Sequence, residues 1–223
     1  VVRAELDRHR PYGRLRAQVA SGPAALGGAG IRRGDRVGMA IPNGLPTIVA
    51  FLAAGEAGTA APLNPGYKEE EFRFFLEDTN AKVLLLPADG ADEARRAAGD
   101  KVPVLTVSMD EAGTVAIAGA PSGKPKIAAS IDDVALILHT SGSTGRPKRV
   151  PLSHANLSIS AQNVAASYAL TSSDVSLCVM PLFHVHGLVA STLPTLASGG
   201  TVVAPAKFSP LSFWRIARDH AAT

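Results

Sequence analysis

The sequence predicts an α/β fold with largely parallel sheets flanked by helices, and three observations carry that expectation. Apolar runs at residues 36–41, 59–63, 83–86, 102–107, 134–138, 175–180 and 201–204 alternate with stretches of helical period, a pattern that requires crossover connections between parallel strands. Most of these runs lack the polar alternation of a half-exposed strand, so both faces of the sheet are expected to be covered. The length of 223 residues, with 46% hydrophobic and 18% charged residues, suffices for a sizeable core in one or two domains.

Taken in order, residues 1–13 carry no firm pattern. Leu15, Val19 and Leu26 form a helical stripe that Gly22-Pro23 is expected to kink or break. Gly34-Asp35 turns the chain into the 36–41 strand, and Pro42-Asn43-Gly44 ends it. Leu45, Ile48, Val49, Leu52 and Ala53 then predict an amphipathic helix. Strand 59–63 leads to Asn64-Pro65-Gly66, and Phe72, Phe75 and Leu76 give the next helix its buried face. Strand 83–86, a helix over 92–98 and strand 102–107 close a first α/β subdomain, residues 14–110.

Residues 111–130, with Gly119, Pro121, Gly123 and Pro125, read as a linker. Residues 131–223 then begin a second α/β subdomain with strand 134–138. Ser153 is placed to cap a helix bearing Leu157, Ala161, Val164 and Tyr168. Strand 175–180 ends at Pro181, a helix over 188–196 bends at Pro194, strand 201–204 follows, and Ser209-Pro210 caps a helix holding Phe213, Trp214 and Ile216.

Several function classes are disfavoured. The net charge of +3 is small, and the basic residues are scattered with few aromatics, so no nucleic-acid partner is expected. One cysteine, Cys178, excludes an intrachain disulfide and fits a reducing, cytoplasmic setting; within its apolar run it reads as a buried, inert thiol. No apolar stretch nears the roughly 20 residues that span a bilayer, so no integral membrane segment is expected. Arg33-Gly34-Asp35 reads as a turn, not an adhesion signal. Gly123-Lys124-Pro125-Lys126 follows no apolar strand and precedes no helix, and reads as linker.

The chemistry is concentrated in His139-Thr140-Ser141-Gly142-Ser143-Thr144-Gly145-Arg146-Pro147-Lys148. Its hydroxyls and lysine are donors for a polyphosphate, and its glycines let the backbone come close. The spacing is neither that of a Walker loop, which needs four residues between its glycine and the Gly-Lys pair, nor Gly-x-Gly-x-x-Gly. The residues alone are equally compatible with a Ser/Gly turn carrying a solvated lysine.

Thr140 through Lys148 resembles the signature of the adenylate-forming superfamily: acyl-CoA synthetases, firefly luciferases and peptide-synthetase adenylation domains. Other stretches match in the family's order: Gly34-Asp35-Arg36-Val37, Ile41-Pro42-Asn43-Gly44, Ala61-Pro62-Leu63-Asn64-Pro65-Gly66-Tyr67 and Pro181-Leu182-Phe183-His184-Val185-His186-Gly187. His139, Val150-Pro151-Leu152 and residues 180–188 most resemble the oxalate:CoA ligase-like branch, some bacterial members of which are labelled fatty-acid:CoA ligases. Arg149 departs from the glycine usual after the loop lysine, and Gly22-Pro23 from an uninterrupted alanine-rich helix.

The resemblance implies the N-terminal part of a large domain whose full-length parent is an AMP-forming acid:CoA ligase using ATP, Mg2+ and CoA. By matching position, Thr140, Ser141, Gly142, Ser143, Thr144, Gly145 and Lys148 hold the ATP phosphates, in a loop that is mobile in the family. His184 stands between a small carboxylic acid substrate and the α-phosphate, where it serves catalysis, although it also suits a residue filling the sheet end. His186, if strand geometry persists, shares its face and lines the acyl pocket. No protein metal site is expected; His139 and His154 are read as structural or peripheral. The adenine-binding segment, the Mg2+-coordinating acid, the ribose-binding aspartate and the lid lysine are expected beyond the last residue. This chain alone is therefore expected to be an inactive fragment that partners the missing C-terminal portion. Two alternatives stand beside this reading: an adenylation domain loading a carrier protein, and a non-catalytic remnant.

Overall fold

The computed structural model describes residues 11–121, 123, 129–140 and 147–223, together with the backbone of 2–3 and 8–9. Short strands β1 (Val2–Arg3) and β2 (Arg8–His9) precede α1 (Tyr12–Gly28), β3 (Arg36–Met39), α2 (Leu45–Ala57) and β4 (Thr59–Pro62). Next come α3 (Glu69–Thr79), β5 (Ala81–Pro87), α4 (Asp92–Ala98), β6 (Val104–Met109) and β7 (Val115–Ala118). After these lie β8 (Val134–Thr140), β9 (Lys148–Ser153), α5 (His154–Ser167) and β10 (Val175–Leu177). A π-helix (His186–Thr192), α6 (Leu193–Ala197), β11 (Thr201–Val203) and α7 (Pro210–Asp219) complete the described elements.

Seven strands form one sheet in the order β7-β6-β5-β3-β4-β8-β9. It is parallel from β6 to β8 and antiparallel at each edge, where β7 pairs with β6 and β9 with β8. A smaller sheet runs β10-β11-β1-β2. Both faces of the large sheet are covered, as the unalternated apolar runs require. In β5, Val83 and Leu85 join a core shared with α1, α2 and β11, whereas Leu84 and Leu86 join Phe72, Phe75 and Ala94 on the other side.

Several local expectations are revised. α1 runs unbroken through Gly22-Pro23, both buried. A Cβ at Gly22 would overlap that of Ala53, so the glycine lets α1 lie directly on α2, and that packing outweighs the lost amide of Pro23. α2 is not amphipathic in use: Leu45, Ile48, Val49, Phe51, Ala53 and Ala54 are all buried, covering every side of the helix. Burying Ile48 alone is worth about 1.5–3 kcal/mol.

The 111–130 segment carries β7, whose Val115 amide donates to Gln18 Oε1 at 3.3 Å. The strands before and after that segment lie in one sheet, Ala60 of β4 pairing with Leu136 of β8. β9 has no counterpart among the predicted strands. The 175–180 strand ends at Leu177, and a π-helix begins the predicted 188–196 helix two residues early. Ser209 precedes α7 without making a side-chain cap bond, and no residue of α7 is buried.

Candidate active site

The 134–153 region is a hairpin. Thr140 pairs with Lys148 at its loop end, followed by His139 with Arg149 and Leu138 with Val150. Predicted phosphate-loop residues Ser141, Gly142, Ser143, Thr144 and Gly145 lie outside the described residues. The two ends of that stretch, Thr140 and Lys148, are directly opposed and exposed.

Facing the hairpin is the 181–187 turn. Its form follows from three ties. The His184 amide donates to Pro181 O at 3.1 Å, and the Leu182 amide donates to Asn43 Oδ1 at 2.9 Å. Gly187 packs onto the turn so closely that an added Cβ would sit 2.8 Å from Met180 O, a contact that only glycine allows. The Gly187 carbonyl accepts from Thr192 Oγ1 at 2.7 Å and from the Cys178 thiol at 3.6 Å. Cys178 is buried, as the sequence predicts.

This turn leaves His184 exposed on a cleft of about 430 Å³ lined by Leu138, His139, Thr140, Val150, Leu152, Phe183, His184 and Val185. Phe183 also borders a second cavity of about 620 Å³, between the turns at Asn43 and at Asn64-Pro65-Gly66. The hairpin hydroxyl and the imidazole thus reach one space, where both can donate to an anion.

His186 is not among the residues of that cleft. The chain is already helical there, with Val185 at φ −53°, ψ −39°, so His184 and His186 do not share a strand face. His154 and His139 are engaged elsewhere. His154 Nε2 lies 3.1 Å from Gly55 O, and His139 Nε2 lies 3.0 Å from Asp78 Oδ2. Among the described residues no group of three or more His, Cys, Asp or Glu gathers to hold a metal. Beside the Asn64 turn, burial holds the Tyr67 phenol above its ordinary range, with a smaller contribution from the Glu71 carboxylate. Sequence reasoning took Asn43 for a strand breaker and gave no role to Gly187 or Asp78, although Asn43 and Gly187 both stand in stretches that resemble the family's.

Comparison with known proteins shows the family and the fold. The family described as AMP-binding enzyme matches residues 2–223. The chain is 42% identical to an oxalate–CoA ligase of Arabidopsis thaliana over 205 residues, 87% of this chain and 40% of the relative. It is 38% identical to an oxalate–CoA ligase of Saccharomyces cerevisiae, over 82% of this chain and 39% of the relative. The structure of ATP-bound MatB from Rhodopseudomonas palustris superposes with a TM-score of 0.80 at 30% identity, over 94% of this chain and 42% of that one. The chain spans about 40% of the length of the curated relatives it matches. It belongs to the AMP-binding enzyme family, in the adenylate-forming acyl-CoA synthetase superfamily.

Proposed function

We propose that this chain supplies the phosphate-holding and carboxylate-facing part of an AMP-forming acid:CoA ligase. A carboxylate oxygen attacks the α-phosphorus of Mg-ATP, the bond to the β-phosphate breaks, and pyrophosphate leaves. CoA thiolate then attacks the acyl carbon, forming the thioester and releasing AMP. The first step gathers negative charge, so it needs donors fixed around the leaving pyrophosphate. Thr140, Ser141, Gly142, Ser143, Thr144, Gly145 and Lys148 fill that role. His184 donates to the carboxylate or α-phosphate oxygen. Mg2+ arrives with ATP, and the acid that shares it belongs to the part of the enzyme that this chain does not span.

The observation that carries this reading is the shared cleft: Thr140, whose partner across the ladder is Lys148, lines the same space as His184. A small or polar acid suits the imidazole beside that space better than a long acyl chain. The test is pyrophosphate–ATP exchange by the complete enzyme over a panel of acids that includes oxalate and fatty acids. Lys148→Ala should raise the KM for ATP, and His184→Ala should lower kcat by about 10². Background exchange with every acid, or normal rates in both variants, refutes the assignment.

A further inference from the structure

Successive residues of the β8–β9 ladder point to opposite faces. Leu138, Thr140 and Val150 share the face that borders the His184 cleft. By the same alternation the side chains of the His139–Arg149 rung reach α3, where both meet Asp78, although His139 also borders the cleft. His139 Nε2 is 3.0 Å from Asp78 Oδ2, Arg149 Nε is 3.3 Å from that same oxygen, and Arg149 Nη1 donates to the Asp78 carbonyl at 2.6 Å. The His139 ring also meets Phe75 edge-on, with centroids 4.6 Å apart.

The physical reason for this convergence lies in α3. Asp78 stands in the helix's last turn, where carbonyls lack intrahelical donors and the dipole favours a cation. Arg149 answers both needs. Its side chain is half exposed, so the ion pair is worth little to stability. Its geometric effect is larger, because β9 is an edge strand, paired on one side only among the described residues, and is interrupted by Pro151, which has no amide to donate.

We propose that Asp78 is a positioning residue for nucleotide binding. It holds both strands of the His139–Arg149 rung, and thereby fixes the next rung, where Thr140 opposes Lys148. This rests on the reading of Thr140 and Lys148 as phosphate-holding groups.

The test compares Asp78→Ala, Asp78→Glu, Arg149→Ala and Lys148→Ala in the complete enzyme, by pyrophosphate–ATP exchange with separate titrations of ATP and acid and with melting temperatures alongside. Asp78→Ala should raise the KM for ATP about tenfold while the KM for acid stays put. Arg149→Ala, on an exposed side chain that folding tolerates, should raise it less, and Asp78→Glu should restore part of the loss. The double variant Asp78→Ala/Arg149→Ala should fall short of the sum of the two single effects, since the carboxylate–guanidinium contact is lost in both. If Lys148→Ala raises the KM for ATP and neither Asp78→Ala nor Arg149→Ala does, the positioning role is wrong and the phosphate reading stands. If none of the three changes it, the phosphate reading fails and the positioning role falls with it. A uniform drop in kcat and rise in both KM values, tracking the melting temperature, would mark Asp78 as merely structural.

Discussion

Helices α2 and α7 both carry large apolar side chains, and the fold uses them in opposite ways. α2 is enclosed: Ile48, Val49, Phe51 and Ala53 lie at 0–3% exposure, among side chains of α1, β4 and β8. α7 buries no residue, leaving Leu211 97% and Trp214 75% exposed. The apolar residues of α2 sit on every side of the helix, whereas those of α7 share it with Arg215, Arg218 and Asp219. Apolar content therefore states what a helix can bury, and the elements packed around it decide what it does bury. Among the described residues, nothing covers Leu211 and Trp214 as α1 and the sheet cover α2.

That contrast can be broken by substitution. Ile48→Ala should cost about 2–5 kcal/mol, read from the urea midpoint, because it empties a fully enclosed site; a loss below 1 kcal/mol would remove α2 from the centre of the core. Gly22→Ala comes next. Helix propensity favours alanine by about 1 kcal/mol, but overlap with Ala53 should cost about 1–3 kcal/mol. A net gain in stability would show the α1–α2 contact to be looser than described.

The helix caps sharpen the same comparison. Ser153 Oγ accepts from the Asn156 amide at 3.2 Å at the start of α5, so Ser153→Ala should cost about 1 kcal/mol. Ser209 makes no such bond at the start of α7, and Ser209→Ala should lie within about 0.5 kcal/mol of neutral. Equal losses in thermal melts would erase the distinction. Trp214→Ala should likewise change stability by less than about 0.5 kcal/mol while lowering binding of a hydrophobic dye; a large loss of stability would mean that α7 is anchored.

The smallest effect concerns acid. Asp133 accepts from Arg33 at 2.6 Å, and that guanidinium, followed by the Ser130 amide, holds its carboxyl below the usual carboxylate range. The folded value lies below the unfolded one, so the contribution is present above the unfolded value and lost as pH falls through the folded value. Arg33→Ala should flatten the acid limb of the stability curve; an unchanged limb would show the pair to be indifferent.

Some local signals were enough. α4 begins at Asp92 and ends at Ala98 as its pattern predicts, and Ser153 caps α5. β9 escaped because Lys148-Arg149-Val150-Pro151-Leu152-Ser153 offers neither alternation nor an apolar run, and an edge strand tolerates both the proline and the cations. Pro23 misled for the opposite reason: a local breaker was overruled by a contact with Ala53, distant in the chain. The strand expected through Met180 stops at Leu177, since Asn43 and Gly187 draw the following residues into a turn. Of the candidate site, residue types were legible at Thr140, Lys148 and His184. That Thr140 and His184 border one cleft was not, because it depends on hydrogen bonds made across long stretches of chain.

The bond from the Leu182 amide to Asn43 spans 139 positions, and the β4–β8 pairing that seats the hairpin joins Ala60 to Leu136, also far from local folding. Contacts of such separation form late and slowly, because loop-closure entropy must be met before they contribute. During synthesis from the N-terminus, α1 to β5 can collapse while the cleft does not yet exist. His184 meets the hairpin only after both have left the ribosome, so a chain stalled before His184 emerges would hold no site.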